Sequence, residues 1–271
     1  MQTYSVAVIS QDDRWMVTRM GHHAPDDTLH MCVNQGTTEG LDGMYVYGLS
    51  SGTYSRAFAG RLAQAARRDS AGAYYIMVAS EPYELIRAEL GPSPSQLSLA
   101  SPEVLAWDLA LDEAAQEVRY TERHLVRSVP MAGGTAVTVA TFSEWLREIA
   151  VDQSTGDIWL HSQDPTWHFV VRLDAAQGWS ASTVFATTSY IGSVEWSASH
   201  SSLWLTCGLN SAGIYALSGP TATPVPLDQG WPATYSAWKA LTISQDGRPY
   251  LASLVFGTGE TASYIVGLSA T

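Results

Sequence analysis

Lysine is almost missing from this chain. Of its 14 Lys and Arg residues only Lys239 is a lysine, and the arginines are scattered along the 271 residues without a basic cluster. A groove that neutralises phosphates needs such a cluster, so nucleic acid is excluded as a partner, the more so because 26 acidic residues leave a net charge of -12. Charge of either sign is sparse, at 15% of residues, where about a quarter is usual. The two cysteines, Cys32 and Cys207, are far apart and form no CxxC pair, which excludes a zinc ribbon or a disulfide framework and leaves two buried thiols. No run approaches about 18 apolar residues, and MQTYSVAVISQDDRW has no basic segment followed by an apolar stretch. Neither membrane insertion nor an export signal is expected, which points to a cytoplasmic or virion-associated protein. Catalytic signatures are also missing: there is no G-x-S-x-G elbow, no P-loop, no G-x-G-x-x-G and no cysteine with an evident histidine partner. Helix signals are scarce, the one ambiguous segment being SRAFAGRLAQAARR at 55–68, whose Ala and Arg content favours helix.

What the chain does have is Trp and Tyr, 10 and 13 of them against five Phe, and a repeated unit. From Leu146 to Leu173 an apolar run, a polar turn ending in Gly156, a second apolar run, a polar loop and a third run read as three strands and two turns. The same order recurs from Ser5, Arg61, Trp107, Ser193 and Lys239, and ISQDGRPYL and ISQDDRWMV are nearly interchangeable. The residues that open the first turn of each copy are Ser10, Arg68, Asp112, Asp152, Ser197 and Ser244. A strand-only repeat of about 45 residues is the signature of propeller blades. The expected fold is therefore all-β: a six-bladed β-propeller of mostly four-stranded antiparallel blades, forming one domain over 1–271. Approximate blade limits are 1–55, 56–100, 101–140, 141–187, 188–230 and 231–271. Stretches such as TATPVPLD and STVFATTS supply the fourth, outer strands. A β-sandwich is the competing architecture, but a Greek key does not require its hairpins to resemble each other. Gly21 to Asp42 is either an insertion or a divergent seventh blade. Because the segment from Thr3 to Ser10 reads as an innermost strand, the ring is expected to close without an outer strap, leaving three strands in the last blade.

The hairpins AVDQSTGDIWL and LTISQDGRPYL resemble those of NHL-type and gluconolactonase/regucalcin-type six-bladed propellers. The resemblance covers the hairpins only. It implies the fold and, for the gluconolactonase group, a divalent metal held in the channel mouth by a Glu at the start of an inner strand with Asn and Asp from others. Glu148 and Glu195 stand near inner-strand starts here.

In a propeller the loops between second and third strands share a face with those entering the innermost strands. On this reading His22, His23, His30, His124, His161 and His168 gather on that face with Asp26, Asp27, Asp164, Trp167, Asn210 and Glu260, and only His200 lies in a first turn. Two constellations follow. In GHHAPDDTLH, His22, Asp26 and His30 are the candidate metal ligands, imidazole and carboxylate being suited to zinc or a similar ion. Adjacent His22 and His23 point to opposite sides of an extended chain, so only one of them could serve. In HSQDPTWHF, Trp167 is placed to stack on a sugar ring while His161, Asp164 and His168 bond its hydroxyls, with Asn210 and Glu260 from neighbouring loops completing a ligand site. Trp15, Trp159 and Trp204 fall at equivalent second-strand positions and read as packing between blades. With no catalytic motif, the expected function is a non-catalytic binding or assembly module that recognises a glycan or protein partner through one loop face, such as a virion surface or tail component. The alternative is a metal-dependent hydrolase or lyase of the gluconolactonase type using Glu148 or Glu195.

Overall fold

The computed structural model describes residues 4–12, 16–34, 42–59, 61–90, 95–207, 213–218, 221–225, 237–256 and 261–271. The chain opens with β1 (Tyr4–Asp12). Four strands, β2 (Met16–His23), β3 (Thr28–Asn34), β4 (Gly43–Gly48) and β5 (Thr53–Ala59), then form an antiparallel sheet. The next sheet holds β6 (Ala63–Arg68), β7 (Tyr74–Val78), β8 (Glu84–Glu89) and β9 (Ser95–Ala100). It is followed by β10 (Ala106–Asp112), β11 (Glu117–Glu122), β12 (Leu125–Pro130) and β13 (Val137–Thr141). The fourth sheet is β14 (Trp145–Val151), β15 (Ile158–Gln163), β16 (His168–Asp174) and β17 (Ser180–Thr187). The fifth is β18 (Ile191–Ser197), β19 (Ser202–Cys207), β20 (Gly213–Ser218) and β21 (Thr221–Pro224). The sixth is β22 (Ala237–Ile243), β23 (Pro249–Phe256) and β24 (Thr261–Ala270), with β1 as its outermost strand. The first strand of each sheet packs against that of the next, and β22 packs against β2, so the six sheets close into a ring. This is the six-bladed β-propeller that the repeat predicts, and the sandwich alternative is set aside.

Closure differs from expectation. The segment starting at Thr3 is not an innermost strand: β1 lies antiparallel to β24, with Tyr4 opposite Ala270 and Asp12 opposite Ser263. The first strand of the chain thus completes the last blade, which has four strands. Pairing removes the free edge that β24 would otherwise present. This shifts the strand count of the first copy by one. The innermost strand of the first blade is β2, and GHHAPDDTLH spans its first turn rather than a second-to-third loop. His22, His23, Asp26, Asp27 and His30 therefore belong to the face opposite the one expected, and residues 21–34 belong to the first blade rather than a seventh.

The segment at 55–68 is also strand, split between β5 and β6. Ala63, Ala65 and Ala66 are buried against neighbouring blades at 0, 0 and 1% exposure. Small side chains are needed where an inner strand runs close to its neighbours, and that packing outweighs alanine's preference for helix.

The core is divided. Leu85 and Tyr75 meet Leu109, Val118 and Tyr120 between the second and third blades, and Met31 and Tyr45 meet Tyr250 and Ile265 between the first and sixth. A comparable cluster fills each of the other gaps. Each middle strand buries both faces, so β7, YYIMV, is apolar throughout and buried throughout. Outer strands cover one side only, and β13 and β17 are mostly exposed or half-buried. Trp204 is buried and Trp159 stacks on Trp196 with ring centroids 5.6 Å apart, as blade-packing residues should; Trp15 lies outside the described residues.

One device recurs at the axis. Every innermost strand carries a register shift near its start: between Val17 and Arg19, Ala63 and Ala65, Ala106 and Leu109, Leu146 and Ile149, Ile191 and Ser193, and Trp238 and Ala240. A bulge re-aims the unpaired side chain. The skipped residues include Thr18, Gln64, Trp107, Arg147, Glu148 and Gly192, and all of these line one cavity on the axis.

Candidate functional site

The axis is closed by a layer of charge. Arg19 Nη2 donates to Glu148 Oε1 at 2.7 Å, and Arg19 Nε lies 3.6 Å from Asp108. Arg67 Nη2 is 3.7 Å from both Asp108 and Glu195. The side chains of Asp108 and Glu148 are 1 and 5% exposed. Burial alone would raise the Glu148 pKa, but Arg19 and His161 outweigh it and hold the carboxylate below its usual range. Asp108 goes the other way: burial raises its pKa despite Arg67 and Arg19. Glu195, which keeps 21% of its side-chain accessibility, is pushed up to about 7 by burial, with Arg67 opposing and Asp108 reinforcing the rise.

Glu148 is also the inner end of a chain of imidazoles. His161 Nδ1 donates to Glu148 Oε2. The carboxylate can only accept, so His161 Nε2 is left to accept from His168 Nδ1 at 2.9 Å. His168 packs edge-on against Tyr190, ring centroids 5.6 Å apart. Burial and the neighbouring His161 lower the His168 pKa, favouring the neutral ring that this arrangement uses.

Two cavities flank the charged layer. The upper, of about 200 Å³, is lined by Thr18, Gln64, Trp107, Arg147, Gln163 and Tyr190, with Arg19 and Glu148 at its floor. The lower, of about 150 Å³, opens between the first turns and is bounded by Arg67, Glu195, Trp196 and Gln153. Above the upper cavity the Arg147 guanidinium lies 4.0 Å from the centroid of Trp107 and 5.9 Å from that of Trp145, and the Arg123 guanidinium is also 5.9 Å from Trp145.

The predicted site residues are distributed as follows. His161, Asp164, Trp167 and His168 do share the upper side. His161 is buried and its two nitrogens are engaged, whereas Asp164 Oδ1 accepts from the Thr166 and Trp167 amides at 2.7 and 2.6 Å and so shapes its own turn. Trp167 is 43% exposed. Asn210 and Glu260 lie outside the described residues. His22, Asp26 and His30 are not brought together. His22 bonds Asp27 at 3.1 Å and stacks on Tyr250, Asp26 bonds His23 at 2.8 Å and Arg68, and His30 is buried edge-on to Tyr74. Among the described residues no three His, Cys, Asp or Glu groups are arranged to hold a metal ion.

The axial carboxylates do not fit a divalent cation either. Glu148 is bound on both oxygens by Arg19 and His161, Asp108 lies between two guanidinium groups, and Glu195 faces Arg67, so positive charge already occupies the space between them. The six innermost strands contain no asparagine.

The residues that the sequence reading passed over are Arg19, Arg67, Asp108, Trp107 and Arg147. Their signal is a charged residue inside an otherwise apolar innermost strand, as in AWDLALD and WLREIAV, which requires a buried partner from another blade.

Fold and axis together define a six-bladed β-propeller whose channel is sealed by arginine–carboxylate pairs. No protein-family model and no curated protein matches the chain. Among solved structures, a gluconolactonase from Xanthomonas campestris is similar with a TM-score of 0.73 at 11% identity, over 98% of this chain and 90% of the other. Luciferin-regenerating enzyme gives 0.72 at 10% identity, over 98 and 95%. A chain from a nidogen/laminin complex gives 0.65 at 13%, over 84 and 96%. At these identities the likeness is one of fold.

Proposed function

We propose that the chain is a non-catalytic binding module that recognises a glycan through the upper face of the propeller. The observation that carries this reading is the contrast across the upper cavity. Its floor consists of charges already neutralised by one another, whereas its walls offer an indole, a phenol ring, two carboxamides and a guanidinium. Aromatic faces stack on sugar rings, and carboxamides both donate to and accept from hydroxyls. The hydrolase or lyase alternative would need a cation on Glu148 or Glu195, and the arginines stand against that. Among the described residues the Glu148, His161 and His168 relay meets the Tyr190 ring edge-on, and no serine, threonine or cysteine bonds to His168.

The test is a glycan array probed with the parent and with Trp107→Ala, a half-buried position whose folding can be checked by circular dichroism. Binding that falls at least tenfold in the variant supports the reading, and a parent that binds no glycan refutes it. Exposure of Trp145 and Trp167, at 43% each, favours a second reading in which the same face docks a protein partner or assembles into a larger particle, such as a virion surface. One structurally similar chain comes from a protein complex. Sedimentation over a range of concentrations, alone and in mixtures with candidate partners, separates that case from a freestanding module.

A further inference from the structure

We infer that the upper mouth selects a carboxylate-bearing sugar, with the carboxylate on Arg147 and the sugar ring against Trp107; this rests on the glycan-binding reading above. Arg19, Arg61, Arg67, Arg68, Arg87, Arg119, Arg127 and Arg172 each sit on a carboxylate of the protein. Among the described residues Arg147, Arg123 and Arg248 have no such ion pair and lie over aromatic rings, Arg248 beside the first turn at Ser244 and the other two on the upper face. The result is a row, Trp107, Arg147, Trp145, Arg123, that runs from the axis outward over the upper face.

Stacking fixes the plane of a guanidinium and leaves its N–H edge free, which is the geometry a carboxylate meets with two parallel hydrogen bonds. In a protein of net charge -12, two unpaired arginines in line with an aromatic row are a local inversion of sign that attracts an anion. The cavity limits which anion. About 200 Å³ admits a single ring-sized unit, and Gln64 and Gln163 on its walls can both donate and accept, as vicinal hydroxyls require, while Thr18, whose hydroxyl donates to the Cys32 carbonyl, can accept. Among the described residues Arg147 is the one cation lining this cavity with no carboxylate partner, since Arg19 beneath it is already neutralised by Glu148 and Asp108. A singly charged carboxylate is matched there, whereas a phosphate dianion is only half compensated. Beyond the mouth, Trp145 is exposed and Arg123 follows it, so a second acidic sugar joined to the first meets the same pair of side-chain types. A chain of uronic acid residues has this alternation of ring and carboxylate.

The experiment is titration calorimetry of the whole protein with a galacturonic acid disaccharide, its methyl ester, the neutral galactose disaccharide, galactose 6-phosphate and a short poly-glutamate peptide. The expected result is binding of the uronic acid disaccharide, weakened about tenfold or more by esterification and to a similar extent by Arg147→Gln, with Arg147→Lys intermediate because it lacks the planar fork. Among the described residues Arg147 has no ion pair to lose, only its ring contacts, so the variant should melt within a few degrees of the parent and stay folded at the titration temperature, which separates lost binding from lost folding. Equal affinity for acid and ester, preference for the phosphate or the peptide, or no effect of Arg147→Gln would overturn the inference. Binding of neutral sugar that depends on Trp107 but not on Arg147 leaves the glycan reading standing without it. Failure to bind any sugar removes both.

Discussion

Replacing Arg19 by Met keeps most of the length and apolar stem of the side chain but removes the cation from the centre of the axial layer. Glu148 then loses its 2.7 Å partner, and Asp108 loses one of its two guanidinium neighbours. Both carboxylates are almost completely buried, and leaving a buried charge unpaired costs about 3–5 kcal/mol. For a chain of this size each kcal/mol shifts the melting temperature by about 2–4 °C, so Arg19→Met should melt roughly 10 °C below the parent at pH 7.5. Two controls isolate the cause. The penalty should shrink at pH 5, because burial has already raised the Asp108 pKa and the lost arginine raises it further, so the carboxyl takes up a proton instead of remaining charged. It should also shrink in Arg19→Met/Glu148→Gln, where the carboxylate that loses its 2.7 Å partner is absent and the amide oxygen can still accept from His161. Urea unfolding at both pH values measures all three proteins. A cost below about 1 kcal/mol at pH 7.5, or no recovery in the double variant, would refute the description of these groups as a mutually neutralising layer.

Three further outcomes are expected. Glu195 has a folded pKa of about 7 against 4.5 for the free group. Its contribution is fully present below about pH 4.5 and lost as pH rises through 7, amounting to about 3 kcal/mol. Glu195→Gln should therefore flatten the decline in urea midpoint between pH 5 and pH 8, whereas parallel curves for variant and parent would contradict the assignment. A Cβ at Gly21 would lie 2.1 Å from His30 Nε2, so Gly21→Ala should destabilise by about 1–3 kcal/mol in a thermal melt, and His30→Ala should restore most of the loss in the double variant; additive losses would place the strain elsewhere. Deleting residues 1–12 removes β1 and bares the edge of β24. The truncated chain should unfold at lower urea and associate in light scattering, and a monomer of undiminished stability would show that closure does not depend on that strand.

The propeller was legible in the sequence because its signal is local. The hairpins around Asp152 and Ser244 each carry an apolar run, a turn and another run, and Gly156 takes the positive φ of 78° that its turn requires. The closing strand was not legible, because β1 and an innermost strand are both short extended segments with similar alternation, and only the pairing of Tyr4 with Ala270 tells them apart. That single ambiguity moved His22, His23 and His30 to the wrong face. The mouth was hidden for another reason. Trp107 and Arg147 stand on different blades some forty residues apart, and each reaches the axis through a bulge that interrupts the two-residue alternation by which inward and outward positions are read. HSQDPTWHF, by contrast, is contiguous and drew attention for that reason, although His161 and Asp164 prove to be occupied with Glu148 and with their own turn.

The central claim is that the upper mouth is where this propeller meets its ligand. A crystal structure of the protein soaked with a galacturonic acid oligosaccharide tests it most directly. The account predicts density for a sugar ring against Trp107 with its carboxylate on the Arg147 guanidinium. Density confined to the first-turn face, or to the loop around Trp167 with the mouth empty, would contradict it.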